Sequence, residues 1–472
     1  MPQFNVIIVG CGLSGPLLAS GLLHAGVKVD VYERMTADAK RDGYQIRVAQ
    51  PSMDAFHLNL TPEQNQRIRA SLGHFDANEE TTPIWYNHKL KPLLEMGRIS
   101  EQYHGSAPMD RVVLRDIIIE KPVESGIVHF GKSFSGYDII SDKGRERVRV
   151  SFDDGTSADC DLLIGADGSH SKVNKYLGLN NIQDIPVINF ITKIHLSKDK
   201  LAALPAAARH SPMLVFSHRK TYFCVAYIPS GQQKDVAKGD EGSSTGTSDY
   251  DEDMATFTFS LQMQKDDCPK DIKNWDKDAT WKFLEESLSD WDDALYAPLP
   301  PLRNAEVQAN SHPSRQVIKV IKSEQVYVFE PRATKRPALN WRSKVRTAAS
   351  PNLGHPRVWL MGDAMHVMLP NRGMGGNQAM LDTTVISPLI QRLDKVMTTD
   401  GVLETEVVAA ACEEYEREMI PRTFYWVETS GGTKPVPFDT NTLFGRCVAW
   451  YMKLSLDIRD AKHSILRLFR LK

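Results

Sequence analysis

The chain has 472 residues, of which 42% are hydrophobic and 25% charged, and its formal net charge is −2. That is the make-up of a globular protein of two to three domains, and so balanced a charge gives no electrostatic reason to expect nucleic acid as a partner. The six cysteines (Cys11, Cys160, Cys224, Cys268, Cys412 and Cys447) are scattered and form no Cys-x-x-Cys pair, which argues against a zinc site or a disulfide frame and fits free thiols in a reducing, cytoplasmic setting.

The opening "MPQFNVIIVGCG" has no basic segment before its apolar run, so it predicts a buried strand over residues 4–9 and not a leader peptide. No run of 18 apolar residues occurs, so no transmembrane segment is expected. "PLLASGLLHAG" then predicts a helix that stops at Gly26, and "VKVDVYE" a second strand. This βαβ unit implies a parallel sheet covered by helices. Its turn, "GCGLSG", places Gly10, Gly12 and Gly15 in G-x-G-x-x-G spacing. Gly10 permits the tight turn, Gly12 lets the backbone approach a pyrophosphate, and Gly15 allows close helix–strand packing. With Leu13 and Ser14 they set the start of a helix, whose N–H groups and positive dipole end favour an anion. Glu33 ends the second strand 23 residues after Gly10, where a carboxylate accepts the hydroxyls of an adenosine ribose. The turn does not separate NAD from FAD.

"MDRVVLRDIII" predicts a helix, and "RVRVSFDDGTSADCDLLIGADG" a hairpin followed by a strand that ends with Asp167 between small residues. From about 185 to 335 the texture becomes β-rich: "VINFITKIHL", "PMLVFSH", "TYFCVAYIP" and "ATFTFSLQM" suggest an antiparallel sheet in a second domain. Residues 231–253 are polar and rich in Gly, Ser and Asp, the texture of a solvated, mobile loop, and "DATWKFLEESL" predicts a helix. "RVWLMGD" returns to parallel-strand texture. It leads into "GDAMHVMLPNRGMGGNQAMLD", where Gly362 and Asp363 stand at a strand's carboxyl edge, Pro370, Gly373, Gly375 and Gly376 make a loop, and Asn377 opens a helix. Ligands bind at such an edge, and a helix N-terminus there favours developing negative charge on a flavin. The tail from Gly445 onward mixes apolar and basic residues at helical spacing; packing onto the protein body is the expectation, with membrane-surface contact the alternative.

Together the stretches "GCGLSG", "GADGSHSKV" and "GDAMHVMLPNRGMGGNQAMLD" resemble the glycine, DG and GD motifs of the class A FAD-dependent monooxygenases, the group of para-hydroxybenzoate hydroxylase and salicylate hydroxylase-like enzymes. The resemblance covers roughly residues 4–175 and 355–392. It implies an α/β fold: a Rossmann-type FAD-binding domain with a parallel sheet (residues 1–180, resumed over 341–395), an antiparallel β-rich substrate domain (181–340) and a C-terminal helical region (396–472). It also implies FAD as cofactor, with Glu33 and Arg34 at the adenosine ribose, Arg111 along the FAD, and Arg115 either sharing that role or solvated. Asp167 and its neighbours would approach the cofactor, Asp363 would take the ribityl chain or pyrophosphate, and Gly375, Gly376 and Asn377 would approach the flavin ring. Arg47 would lie near the flavin or in a surface salt bridge, and His366 would be structural. Two positions depart from the pattern. Asn174 stands where the DG motif ends in arginine, and Met365 where alanine is common.

The implied reaction has NADPH or NADH reduce FAD, with the nicotinamide a transient co-substrate, since no second G-x-G-x-x-G unit is present. The reduced flavin takes up O2 as a C4a-hydroperoxide, which hydroxylates or epoxidises an aromatic or polycyclic small molecule. Arg219, Tyr222 and Tyr227 are candidates for the substrate pocket, and no catalytic base or metal site is named. The alternatives are a flavin-dependent reductase or dehydrogenase of a lipid-like substrate, and a non-enzymatic scaffold of the GDP-dissociation-inhibitor type. Oligomeric state is left open.

Overall fold

A computed structural model describes residues 4–39, 45–74, 82–87, 91–99, 105–142, 145–197, 199, 201, 209–228, 254–289, 325–400, 403–434 and 439–470. The segment 231–253 read as a mobile loop lies outside the described residues.

The first βαβ unit forms as its pattern dictates. β1 (Asn5–Val9) is buried throughout, α1 (Ser14–His24) follows the glycine turn, and β2 (Lys28–Glu33) runs parallel to β1. β3 (Gln45–Val48), α2 (Gln50–Asn59), α3 (Pro62–Ala70), β4 (Ile84–Tyr86) and β5 (Pro92–Glu95) come next. β6 (Ala107–Asp110) pairs with β3 and runs straight into α4 (Arg111–Glu124), whose first turn Asp110 caps by accepting from the Val112 and Val113 N–H groups. After β7 (Val128–Phe130), the strands β8 (Phe134–Asp142), β9 (Arg145–Phe152) and β10 (Ser157–Cys160) form an antiparallel three-stranded sheet. β11 (Leu162–Gly165) then pairs with β1, in register Val6↔Leu162. With β19 (Val358–Leu360) the parallel sheet has the order β19-β11-β1-β2-β7. Its carboxyl ends bring Gly10, Glu33, Gly165 and Met361 to one edge. Those four strand ends come from three regions of the chain, around residues 10–33, 165 and 361, and the apolar core beneath them (Val6, Ile8, Leu163, Trp359) holds them there.

α5 (Lys172–Tyr176) and β12 (Ile182–Asp184) lead to the second sheet. Its strands β13 (Val187–Ser197), β14 (Met213–Ser217), β15 (Lys220–Tyr227), β16 (Met254–Gln264) and β17 (Tyr327–Phe329) are joined by β4 and β5, in the order β17-β13-β16-β15-β14-β4-β5. The pairings are antiparallel except β14 with β4, which is parallel. The sheet therefore borrows two strands from the first 180 residues. One face is apolar: Phe190, Ile194, Tyr222, Cys224, Phe257 and Phe259 pack with Trp281 and Leu284 of α6 (Lys277–Ser287). Because side chains alternate, Lys193, Thr258, Val225 and Tyr227 stand on the other face. That face meets the cofactor half, where Tyr227 lies so close to Gly73 that a methyl group on the glycine would be 2.4 Å from the ring.

β18 (Arg332–Thr334), which pairs with β12, and α7 (Trp341–Val345) precede β19. α8 (Asp363–His366), α9 (Gly375–Asp400), α10 (Thr405–Thr429) and α11 (Leu443–Arg470) complete the chain. α11 does rest on the body, along β5, through Arg98 with Asp457 and Asp460 at 2.6 and 2.9 Å. Among the described residues no helix is long and apolar enough to cross a membrane.

Candidate cofactor and substrate site

The three motifs meet at the sheet edge and touch one another. Gly10 has φ +112°, and a methyl group on it would stand 2.3 Å from the Ala166 carbonyl oxygen, so only glycine lets the turn close on the DG strand. A methyl on Gly15 would be 2.2 Å from the Gly10 carbonyl oxygen. Gly362 (φ +58°) lies against Ser14, whose Oγ would be 3.1 Å from an added methyl. By contrast, a methyl on Gly12 or on Gly376 would meet nothing within 4 Å. The glycines that face protein are packed to contact, and those that face the edge look into open space. That is the cradle a pyrophosphate and a flanking ring system require, with the unpaired first-turn N–H groups of α1 and α9 lining it.

Glu33 is buried at the end of β2, its carboxylate accepting from the Cys11 N–H at 2.8 Å and the Met35 N–H at 3.0 Å. Arg34 beside it is exposed. Arg115 donates to the Cys11 carbonyl at 3.0 Å, tying α4 to the glycine turn, while Arg111 starts α4 half-buried. Asp363 is exposed, and its carboxylate makes no hydrogen bond or ion pair to any described residue; it is held ready at the edge. Arg47 donates through Nε to Ser106 Oγ at 2.6 Å and through Nη2 to the Ser106 carbonyl at 3.0 Å, with its Cβ beside Gly373. Pro370 opens a single 3-10 turn that ends at Gly373, φ +64°.

One acid and one amide named from the motifs have side chains engaged within the protein. The Asp167 carboxylate accepts from the Lys172 and Val173 N–H groups at 2.7 and 3.1 Å and from Ser171 Oγ, so it caps α5, and burial pushes its carboxyl up despite those bonds. Only its backbone faces Gly10. The Asn377 side chain accepts from the Ala49 N–H and Ser52 Oγ and donates to the Arg47 and Gly373 carbonyls. It clamps α9 to β3, leaving its backbone for a ligand.

Beneath the GD loop lies a buried charge network absent from the motif reading. The Asp382 carboxylate accepts from the Gly362 N–H at 2.8 Å and from Arg422 at 2.9 Å, and meets His366 Nε2 at 2.8 Å. Burial opposes ionisation, but His366 and Arg422 outweigh it and hold the Asp382 carboxyl below its ordinary value. This anchors the peptide that presents Asp363. Asn174, at the departure from the DG pattern, is buried and donates to the Ala364 carbonyl at 2.7 Å and to Asn181 Oδ1 at 2.8 Å. A neutral amide closes the DG helix onto the GD helix, at the position where the motif it resembles ends in arginine.

Comparison with known proteins agrees with this geometry. A family described as "FAD binding domain" matches residues 3–273 and 300–402. The chain belongs to this family. It is a flavoprotein oxidoreductase of the class A FAD-dependent monooxygenase type. The FAD-dependent monooxygenase thnD of Trichoderma harzianum is 26% identical over 437 residues, covering 90% of this chain and 92% of that one. The FAD-dependent monooxygenase cctM of Talaromyces islandicus is 24% identical, covering 89% of each. Among solved structures, Klebsiella pneumoniae HpxO with FAD and uric acid superposes with TM-score 0.64 at 19% identity, over 96% of this chain and 92% of that one. The 2,6-dihydroxypyridine-3-hydroxylase of Arthrobacter nicotinovorans does so with TM-score 0.59 at 15% identity, over 90% and 91%.

On the second sheet of this monooxygenase-type chain, the three pocket candidates separate. Tyr227 is buried on the face toward the cofactor half, and burial together with Asp110 pushes its phenol well above the usual value. Tyr222 points the other way, into the core edge-on against Phe259, so it does not line that face. Arg219 is exposed in the hairpin between β14 and β15, 3.4 Å from Asp267, and also lies away from it. Lys193 is the charged residue the sequence reading missed: its Nζ meets the Asp110 carboxylate at 2.6 Å, joining the second sheet to the start of α4.

Proposed function

We propose that this protein uses NADPH or NADH and O2 to hydroxylate or epoxidise an aromatic or polycyclic small molecule on bound FAD. The observation that carries the reading is the edge itself, where Gly12 and Gly376 face open space and Asp363 presents an unengaged carboxylate beside them. Glu33 would hold the adenosine ribose, the first turn of α1 the pyrophosphate, Asp363 the ribityl hydroxyls, and the backbone of Gly375 and Gly376 the flavin ring. Bound there, FAD supplies the redox centre for hydride uptake and oxygen activation.

The remaining residues act on the substrate and its surroundings. Val225 and Tyr227 offer an apolar and aromatic wall on the sheet face, and Lys193 with Asp110 sets its charge. Burial and Asp110 raise the Tyr227 phenol, so it does not serve as a base. An aromatic substrate is supported by the names of structural neighbours, one holding uric acid and one a dihydroxypyridine hydroxylase. The test is direct. The purified protein should be yellow and release FAD on denaturation. A panel of phenols and prenylated aromatics should then stimulate NADPH oxidation with matching O2 uptake and a product one oxygen heavier. Product without O2 uptake would make it a reductase or dehydrogenase, and protein that stays colourless in excess FAD would refute the site.

A further inference from the structure

We propose that α11 is a docking helix for an anionic lipid surface. The helix has two distinct long faces. At roughly 100° per residue, Gly445, Ala449, Met452, Leu456 and Asp460 fall on the side turned to the body. Ala449 is buried, and Asp460 is paired with Arg98. Leu443, Phe444, Trp450, Tyr451, Leu454 and Ile458 fall in a band about 120° wide on the opposite side. They are left bare: Leu443 is 77%, Phe444 76%, Trp450 65%, Tyr451 68% and Ile458 61% exposed. These are large side chains and they are contiguous on one helix, whereas the other exposed large apolar residues among those described, such as Leu58, Tyr176 and Leu339, are scattered over separate elements. So continuous a patch marks a surface that meets something.

The charges around the band say what it meets. Arg446 and Lys453 lie along one flank and Lys462 along the other, all exposed. The two acids of the helix, Asp457 and Asp460, are both held by Arg98, and Asp460 also by Arg459. The band is thus apolar and aromatic, rimmed by cations whose neighbouring acids are neutralised from the body side. The sequence continues "AKHSILRLFRLK" to its end without another acid. A second copy of the chain docking through this band would bring basic rims together, with Asp457 and Asp460 of each copy already paired to Arg98. An anionic bilayer answers both features, because acyl chains take the apolar band, aromatic rings sit at the headgroup level, and lysine and arginine meet lipid phosphate or serine headgroups. The helix is not apolar enough to span a membrane, so it lies along the surface. This inference is independent of the reaction proposed above.

The test uses the full-length, FAD-loaded protein in flotation with vesicles of phosphatidylcholine alone and of phosphatidylcholine with 30% phosphatidylserine. The protein should float with the anionic vesicles and only weakly with the neutral ones, and 0.5 M salt should release most of it. The pair Trp450→Ser/Tyr451→Ser should reduce flotation at least tenfold. The pair Lys453→Glu/Lys462→Glu should abolish the preference for serine lipid. Both pairs change exposed positions, so their melting temperatures should match the parent, which separates lost docking from lost folding. Absence of flotation with anionic vesicles would overturn the proposal. So would flotation indifferent to both pairs, or a lipid-free dimer by light scattering that Trp450→Ser/Tyr451→Ser dissociates.

Discussion

Gly10 and Gly12 are two residues apart in one turn, yet the structure gives them opposite tasks, and Gly10→Ala and Gly12→Ala separate them. In Gly10→Ala the new methyl lies 2.3 Å from the Ala166 carbonyl oxygen on a backbone of φ +112°. The backbone strain costs about 1–3 kcal/mol, and forcing the contact apart about 1–3 kcal/mol more. The sum, about 2–6 kcal/mol, is a large part of a typical stability of roughly 5–15 kcal/mol. In Gly12→Ala the methyl meets no protein atom within 4 Å, so the empty fold should be unchanged within about 0.5 kcal/mol. The methyl instead occupies the space through which a pyrophosphate reaches the turn. Losing one charge-assisted hydrogen bond there costs about 1.5–3 kcal/mol, which is about a 10- to 150-fold rise in Kd. Urea unfolding of the FAD-free proteins, beside fluorescence titration with FAD, reads both quantities. If Gly12→Ala bound FAD like the parent, or if it unfolded as early as Gly10→Ala, the assignment of that open space to the cofactor would be wrong.

Three further outcomes follow from particular contacts. Asp363→Ala removes an exposed carboxylate with no described partner, so FAD-free stability should hold, while the gain of about 2.7 kcal/mol expected at FAD 100-fold above Kd should shrink markedly in thermal denaturation. Asn174→Ala leaves the Ala364 carbonyl and Asn181 Oδ1 without a donor in a buried setting, which should cost about 2–4 kcal/mol by urea midpoint. Burial, with Arg346, Arg357 and Arg342 and against Glu146, depresses His355 from 6.5 to about 4. The unfolded chain therefore takes the proton first as pH falls: the contribution is complete above 6.5, erodes between 6.5 and about 4, and is gone below. The size is on the order of 3 kcal/mol. His355→Asn, whose Oδ1 can accept the Arg357 N–H that His355 Nδ1 accepts now, should flatten the stability profile across that window, and an unchanged slope would rule the histidine out.

The cofactor half was legible because its signals are local. A β-branched run, a glycine turn and an acid at a strand end each sit within a few residues, and backbone sterics force their conformations. The substrate half was legible as a sheet but not as a surface. Tyr222 and Tyr227 are five residues apart on one strand, so alternation puts them on opposite faces. Which face meets the cofactor is set by Lys193 reaching Asp110 and by α6 covering the other side, and neither is visible along the chain. Arg219 is a pocket candidate in the sequence but stands in the turn His218–Arg219, φ +51° and +61°, which lacks the glycine or asparagine that usually announces such a hairpin. β4 and β5, three and four residues long, carry too little pattern to betray that they complete a sheet formed mostly by residues far downstream. Asp167 is placed at the cofactor edge as an acid beside glycines, and the structure adds that its carboxylate also serves the first turn of α5. Ser171, four residues later, is the trace of the helix cap it forms.

The contacts among the motifs also bear on how the site comes to exist. Gly10 packs on Ala166, Gly362 on Ser14, and Asn174 bonds to the Ala364 carbonyl. The glycine motif therefore touches the DG motif, the glycine motif touches the GD motif, and the DG motif touches the GD motif. Three pairwise contacts close a ring, and none of them involves a cofactor atom. The contacts that hold the edge together are therefore all between parts of the polypeptide. A ring also makes its members interdependent. Loosening the Gly10–Ala166 contact lets the DG strand end shift, and that shift moves the helix from which Asn174 reaches the GD loop. The two damages should overlap: Gly10→Ala combined with Asn174→Ala should cost less than the sum of the single changes, with a coupling of about 0.5–3 kcal/mol in a double-mutant cycle. Additivity within about 0.5 kcal/mol would mean that the strand ends are held independently by their own core packing, and that the motif contacts follow from the fold without shaping it.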